Sequence, residues 1–299
     1  MSTKHSTKSG YISIIGCPNV GKSTLLNLLV GEKLAIVTYK PQTTRNKILG
    51  ILTEEDVQMI FLDTPGIHKS KSKLNKKMTK KALESIKEAD LVLFMVDASK
   101  FFQPDEEEYI FPILKRGKCP VILLINKIDL IPKHHLLPII ERYNTHLNLA
   151  EIFPVSALTG ENIKDLVPKI AHYLPSGPHY YPADTLTDKS LRFICAEIIR
   201  EKIIKLTQQE IPYSTAVTIE SFEENTPNGI IRISATILVM RESQKGIIIG
   251  KQGNMLGKIG KSAREDIEKY LNARVFLELW VKLSKDWPDN DKVLKELGY

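Results

Sequence analysis

The chain has 299 residues, enough for about two domains that each bury a core, and its 42% hydrophobic and 26% charged residues exclude collagen-like, low-complexity and wholly disordered chains. A net charge of +7, from 42 basic and 35 acidic residues, permits an anionic partner without requiring one. Three cysteines, Cys17, Cys119 and Cys195, form no C-x-x-C pair, and no apolar run approaches the ~20 residues of a bilayer span, so a disulfide framework, a structural zinc site and a membrane-spanning helix are all excluded and a cytoplasmic protein, peripheral to a membrane at most, is expected.

The apolar run Tyr11 to Ile15 precedes Gly16-Cys17-Pro18-Asn19-Val20-Gly21-Lys22-Ser23, and Thr24 to Val30 continues with helical spacing of leucines. Strand, glycine loop and helix follow one another as in a phosphate-binding loop. The match to G-x-x-x-x-G-K-S has a chance occurrence on the order of one in a hundred in a chain of this length. Gly16 and Gly21 let backbone N–H groups approach phosphates, Lys22 reaches the β and γ oxygens, Ser23 supplies a hydroxyl to magnesium, and Asn19, Val20 and Thr24 complete the nucleotide contacts.

Next comes Gln42-Thr43-Thr44-Arg45, a loop in which a threonine, Thr44 in preference to Thr43, closes over magnesium when a γ-phosphate is present. The strand Met59 to Leu62 ends in Asp63-Thr64-Pro65-Gly66: Asp63 holds magnesium through water and the Gly66 N–H senses the γ-phosphate. Seven lysines between Lys69 and Lys81, without an acidic residue, read either as a solvated segment or as a contact for RNA or anionic lipid. Further apolar runs, Leu91 to Val96, Val121 to Ile125 and Ile152 to Val155, alternate with helix-length polar stretches, the pattern of an α/β, mostly parallel, doubly wound sheet that binds ligand at its strand C-termini.

Asn126-Lys127-Ile128-Asp129, directly after the run ending at Ile125, decides the base. The Asp129 carboxylate can accept the ring N1–H and the 2-amino donors of guanine, whereas adenine would leave it unpaired. Asn126 bonds the base and ties loops together, the Lys127 stem packs over the ring, and Ser156-Ala157 offers backbone to the guanine carbonyl. GTP or GDP with Mg2+ is therefore the expected ligand set.

The uncharged, breaker-rich stretch from Pro175 to Pro182 suggests a boundary, with domains at 1–176 and 190–299 and a linker at 177–189. Beyond it a helix over Ser190 to Leu206, strands over Tyr213 to Glu220 and Ile230 to Met240 joined through Thr226-Pro227-Asn228-Gly229, helices from Ser243 to Ile249 and Asn254 to Leu271, and a strand from Val275 to Leu283 give the order α, β, β, α, α, β. Between the last two helices lies Gly250-Lys251-Gln252-Gly253. This α+β order with a G-x-x-G turn resembles a type II KH domain, whose turn clamps the backbone of single-stranded RNA. Lys245 and Lys251 would meet phosphate, Gln252 completes the turn, and Ile247, Ile248 and Ile249 would floor the bases; six basic residues against Glu242 between Arg241 and Arg264 give the region a local excess of positive charge.

The motif set resembles a translation-factor-type GTPase. The P-loop with Asn19, the Thr43-Thr44-Arg45 element and the tail Leu277-Glu278-Leu279-Trp280-Val281-Lys282 resemble the Era family across nearly the whole chain. The resemblance implies a GTP-hydrolysing switch that binds small-subunit ribosomal RNA near its 3′ end and acts in 30S subunit assembly, with an association at the inner face of the cell membrane left open. Ile67 stands where Ras-like GTPases carry the water-orienting glutamine, so catalysis falls to Lys22, Thr44, Gly66 and Asn19, the last at a position similar to one that holds K+ in related GTPases. Two other classes stay open: a membrane-associated signalling GTPase whose second domain binds protein, and a P-loop kinase or ATPase, against which Asn126 to Asp129 argue.

Overall fold

The computed structural model describes residues 7–40, 43–67, 73–100, 104–208, 210–224, 229–285 and 287–297. It divides into two compact units, Met1–Ala35 with Thr44–Lys71 and Asn75–Asp188, and Ile36–Thr43 with Ser72–Leu74 and Lys189–Tyr299.

In the first unit a six-stranded sheet has the order β2-β3-β1-β4-β5-β6, from β1 (Lys8–Ile15), β2 (Ile48–Glu54), β3 (Val57–Asp63), β4 (Leu91–Asp97), β5 (Val121–Asn126) and β6 (Glu151–Val155). All pairs are parallel except β2 with β3. Every residue of β4 and β5 is buried, because helices cover both faces of a parallel sheet and such strands read as unbroken apolar runs. The helices are α1 (Lys22–Val30), α2 (Lys73–Glu88), α3 (Phe111–Arg116), α4 (Leu136–His146) and α5 (Ile163–Tyr173). All five expected strands form, β1 starting three residues before Tyr11; β2 is an addition, an edge strand turned back through Glu55 at φ +43°.

The register sets the site. Ile14 lies beside Asp63 and Asn126 beside both Asp97 and Val155, so the loops after β1, β3, β5 and β6 leave the sheet along one edge, the carboxyl edge where doubly wound sheets bind ligands. The stretch expected as a linker is docked on this unit: Gln58 Oε1 accepts the N–H groups of Tyr180 (2.8 Å) and Tyr181 (3.0 Å), and Ile51 N–H donates to Leu186 O (2.8 Å).

In the second unit β7 (Ala216–Glu223) pairs antiparallel with β8 (Ile231–Val239), and β8 parallel with β9 (Val275–Leu283). Helices α6 (Leu191–Leu206), α7 (Ile211–Ser214), α8 (Glu242–Ile249), α9 (Asn254–Leu271) and α10 (Asp291–Glu296) complete it. Ser190 caps α6 by accepting Phe193 N–H. Ile194, Ile198, Ile199 and Ile203 of α6 and Ile259, Ala263 and Ile267 of α9 are buried together with Ile233, Ala235 and Ile237 of β8, an α-on-sheet core. Strand β7 begins three residues later than predicted because Pro212 opens the helical turn α7. Of the hairpin expected at Thr226-Pro227-Asn228-Gly229, residues 226–228 lie outside the described residues, and Gly229 has φ +63°. Among the described residues no helix is long and apolar enough to cross a membrane.

Candidate functional site

The loop after β1 requires its glycines. Gly16 has φ +151° and a Cβ there would lie 2.2 Å from Met95 O; Gly21 has φ +108° and its Cβ would lie 2.2 Å from Asn126 Nδ2. No other residue fits without moving the loop or the guanine motif. Lys22, first residue of α1, folds its ammonium back onto the loop, donating to Gly16 O (3.1 Å) and Cys17 O (2.9 Å). Burial lowers the Lys22 pKa below its ordinary value, against the opposing pull of Asp63. The Asp63 carboxyl, wholly buried, is pushed up to about 6 by the same burial, with the Lys22 charge and the Ser23 hydroxyl resisting. Cys17 is equally buried, and its thiol, raised to about 12 by burial, is no nucleophile.

Three oxygens converge beside Lys22. Ser23 Oγ donates to Asp63 Oδ2 at 2.6 Å and lies 2.7 Å from Thr44 Oγ1, while Asp63 Oδ1 is buried with no hydrogen-bond partner. Two hydroxyls and a carboxylate with a spare lone pair are hard donors suited to Mg2+, so the residues present fit the ion. Thr43 is turned elsewhere: its hydroxyl lies 2.6 Å from Thr38 Oγ1 and donates to Lys40 O (2.7 Å), and its carbonyl accepts from Arg200 NH2 (2.5 Å) within the second unit. Arg200 is itself held by Glu197 at 2.7 and 2.6 Å, and Val37 N–H donates to Glu201 (3.2 Å). Gln42 of this element lies outside the described residues.

Gly66 passes so close to the P-loop that a Cβ would lie 2.7 Å from Pro18 Cα, and Ile67 N–H donates to Gly16 O (3.2 Å). The Ile67 side chain is wholly buried, so it presents nothing to an attacking water. Asn19 sits in the loop at φ +65°. Val20 is buried and its carbonyl accepts from Asn126 Nδ2 (2.7 Å), while Asn126 Oδ1 accepts Ala157 N–H (2.9 Å). One carboxamide thus ties the P-loop to the loop after β6. Ser156 steadies that second loop, accepting Thr159 N–H (3.2 Å). Lys127, at φ +66°, is fixed by an ion pair of 2.6 Å to Asp97, whose side chain is buried at the end of β4. The sequence reading missed Asp97; an acid ending a wholly apolar strand was its only signal. Asp129 is exposed on the turn that follows, and Thr24 is half-buried in the first turn of α1.

In the second unit Gly250 (φ +72°) ends α8 and Gly253 (φ +79°) opens α9, with Lys251 and Gln252 exposed between them. A Cβ on Gly250 would meet Met255 Cβ at 2.6 Å and Met255 N at 2.9 Å, whereas Gly253 has open space. The predicted isoleucine floor is corrected: Ile248 is wholly buried in the core, Ile249 half-buried and Ile247 47% exposed, because three consecutive residues on a helix cannot share a face. Lys245 is half-buried. Arg264 pairs with Glu268 at 3.0 and 3.1 Å, so part of the expected basic excess is neutralised within α9.

Phosphate loop, converging magnesium ligands and guanine motif on one sheet edge, followed by an αββααβ unit with a G-x-x-G turn, define a P-loop GTPase joined to a KH domain. Family models agree, matching residues 11–127 to a 50S ribosome-binding GTPase and 210–288 to a KH domain. GTPase Era of Syntrophus aciditrophicus is 52% identical over 98% of this chain and 95% of its own length, and that of Geobacter metallireducens 53% identical over 98% of each. A variant of Aquifex aeolicus Era bound to GDP·AlF4− superposes with a TM-score of 0.94 at 44% identity, over 98% of this chain and 99% of that one. So does Era in complex with MgGDPNP and nucleotides 1506–1542 of 16S ribosomal RNA, with a TM-score of 0.94 at 45% identity and the same coverage. The chain belongs to the Era family of GTPases.

Proposed function

We propose that this GTPase is a switch that binds small-subunit ribosomal RNA near its 3′ end through the Gly250 to Gly253 turn and acts in maturation of the 30S subunit, with domains 1–176 and 190–299 and the segment 177–189 between them. The observation that carries the switch is the 2.7 Å approach of Thr44 to Ser23 beside Asp63. The RNA half is supported by the relative solved with 16S ribosomal RNA and by the KH match.

The chain's residues divide the work. The P-loop N–H groups and Lys22 hold the β- and γ-phosphates of GTP, Asn126, Lys127 and Asp129 hold guanine with the backbone at Ser156 and Ala157, and Gly66 reads the γ-phosphate. Ser23, Thr44 and Asp63 would hold Mg2+, which when bound offsets charge on the β- and γ-phosphate oxygens. With Ile67 buried, water orientation falls to the backbone of the Thr44 loop, and we assign to Asn19 the holding of K+ beside the phosphates. Loss of the γ-phosphate frees Thr44 and lets its loop relax, the order–disorder device of GTPase switches.

In the turn, Gly250 and Gly253 allow close approach of the RNA backbone, Lys251 and Lys245 meet phosphate, and Gln252 and the half-exposed Ile249 contact sugar and base. The protein acts in the cytoplasm; attachment to the inner face of the cell membrane is the alternative that co-sedimentation with anionic vesicles separates. The experiment is titration of the ribosomal RNA 3′ segment against the full chain loaded with GDP or a non-hydrolysable GTP analogue: RNA affinity that differs between the two supports the switch, and equal affinity counts against it.

A further inference from the structure

Helix α2 carries a charge distribution that the nucleotide site does not use. Its inner side is apolar and buried: Leu74, Met78, Ala82 and Ile86, with Ser85 among them. Its outer side is lysine. Lys76, Lys80 and Lys87 are exposed and, at 100° per residue, fall within about 40° of one another, a row about 16 Å long. Lys77 and Lys81 flank the row half-buried, Lys81 donating to Asn46 Oδ1 (3.3 Å).

The spacing sets like charges against each other. Lys76 with Lys80 is an i,i+4 pair, unfavourable by a few tenths of a kcal/mol, and Lys87 continues the same row. Exposed Glu84 lies 3.7 Å from Lys80, a weak surface contact that offsets this repulsion only in part. A face selected only for solubility interleaves acids and bases; six lysines against Glu84 and Glu88 do not. The ligand that removes the repulsion is a polyanion. A lipid surface would need several apolar side chains beside the lysines to insert, whereas Leu74, Met78, Ala82 and Ile86 are spent on the core of α2 and the row itself offers the half-buried Leu83. A phosphodiester backbone needs only a row of point charges.

We propose that the Lys76, Lys80 and Lys87 face of α2 is a second RNA-binding surface that contacts the phosphate backbone of the ribosomal RNA outside the nucleotides the Gly250 to Gly253 turn clamps. The proposal rests on the RNA reading above. It gives the helix that follows Gly66 a direct contact with RNA beyond the KH turn.

The test compares the full chain with the triple variant Lys76→Ala, Lys80→Ala, Lys87→Ala, and with a control, Lys115→Ala, Lys118→Ala, Lys164→Ala, which removes equal charge from exposed positions elsewhere. Two probes are titrated over a range of salt: the ribosomal RNA 3′ segment, and an oligonucleotide from it of about four nucleotides, the length a KH turn clamps. For the long RNA, loss of three phosphate contacts should flatten the slope of log K against log salt by about two and weaken binding at least tenfold at low salt. The short RNA and the control variant should behave as wild type. Unchanged long-RNA binding by the triple variant, or an equal loss in the control, overturns the proposal, as does loss of binding to phosphatidylglycerol vesicles with RNA binding intact. Lys251→Asp with Gln252→Asp, tested on the short RNA, isolates the turn: undiminished binding there faults the KH reading independently of the helix.

Discussion

Asn126→Ala removes a side chain that bridges the P-loop and the loop after β6. Its carboxamide is 2% exposed and makes two bonds, 2.7 Å to Val20 O and 2.9 Å from Ala157 N–H. Both backbone partners belong to buried residues, Val20 and Ala157, and would be left without it. An orphaned buried polar group costs roughly 1–3 kcal/mol, so losing both partners costs about 2–6 kcal/mol in the nucleotide-free protein. With a urea m-value of about 2 kcal/mol per molar, the midpoint should fall by roughly 1–3 M. Asp129→Asn is the matched comparison, because Asp129 belongs to the same motif but is exposed, and its effect on stability should stay within about 0.5 kcal/mol. The assay is urea unfolding of nucleotide-free protein followed by far-ultraviolet circular dichroism, with guanine-nucleotide affinity measured in parallel. Both variants should lose affinity; only Asn126→Ala should lose stability. Equal midpoints for the two would refute the bridge as a stabilising element and leave Asn126 a base contact alone.

Asp129→Asn should move preference from guanine toward xanthine nucleotides, since the new amide donates to the C2 carbonyl that replaces the 2-amino group; a competition assay showing unchanged GTP affinity and no gain for xanthosine triphosphate would contradict the guanine assignment. Hydrolysis should be slow, and faster in potassium than in sodium at equal ionic strength, with the difference lost in Asn19→Ala; equal rates in both salts for wild type remove the cation from the account. Gly253→Ala should cost about 1 kcal/mol, from its positive φ alone, whereas Gly250→Ala should cost more because its Cβ meets the Met255 backbone, a ranking that thermal unfolding of the two variants checks.

The strand-end motifs were legible because each is a short local pattern whose chemistry needs specific residue types: glycines at Gly16 and Gly21, a carboxylate at Asp63, an amide and an acid at Asn126 and Asp129. What escaped was tertiary. Strand β2 was missed because Gly50 interrupts its apolar run, and the structure gives the reason for the glycine: a Cβ there would lie 2.7 Å from Leu26 Cδ1 and 2.9 Å from Val30 Cγ2, so α1 packs directly against the strand. Asp97 is thirty positions from the lysine it holds, and Arg200 lies 157 positions from Thr43; neither pairing leaves a periodic trace. Ile248 was misplaced because composition alone does not show which of three consecutive isoleucines a helix turns inward.

We propose that this GTPase meets small-subunit ribosomal RNA through the Gly250 to Gly253 turn. Crosslinking in cells followed by sequencing of the bound RNA, for wild type and for Lys251→Asp with Gln252→Asp, tests it most directly. Both substituted side chains are exposed, and asparagine and aspartate are among the residues that tolerate the φ of +53° at Gln252, so the fold should survive. Wild-type crosslinks should gather at the 3′ end of the small-subunit ribosomal RNA and disappear in the variant; crosslinks elsewhere, or an unchanged pattern in a folded variant, would contradict the account.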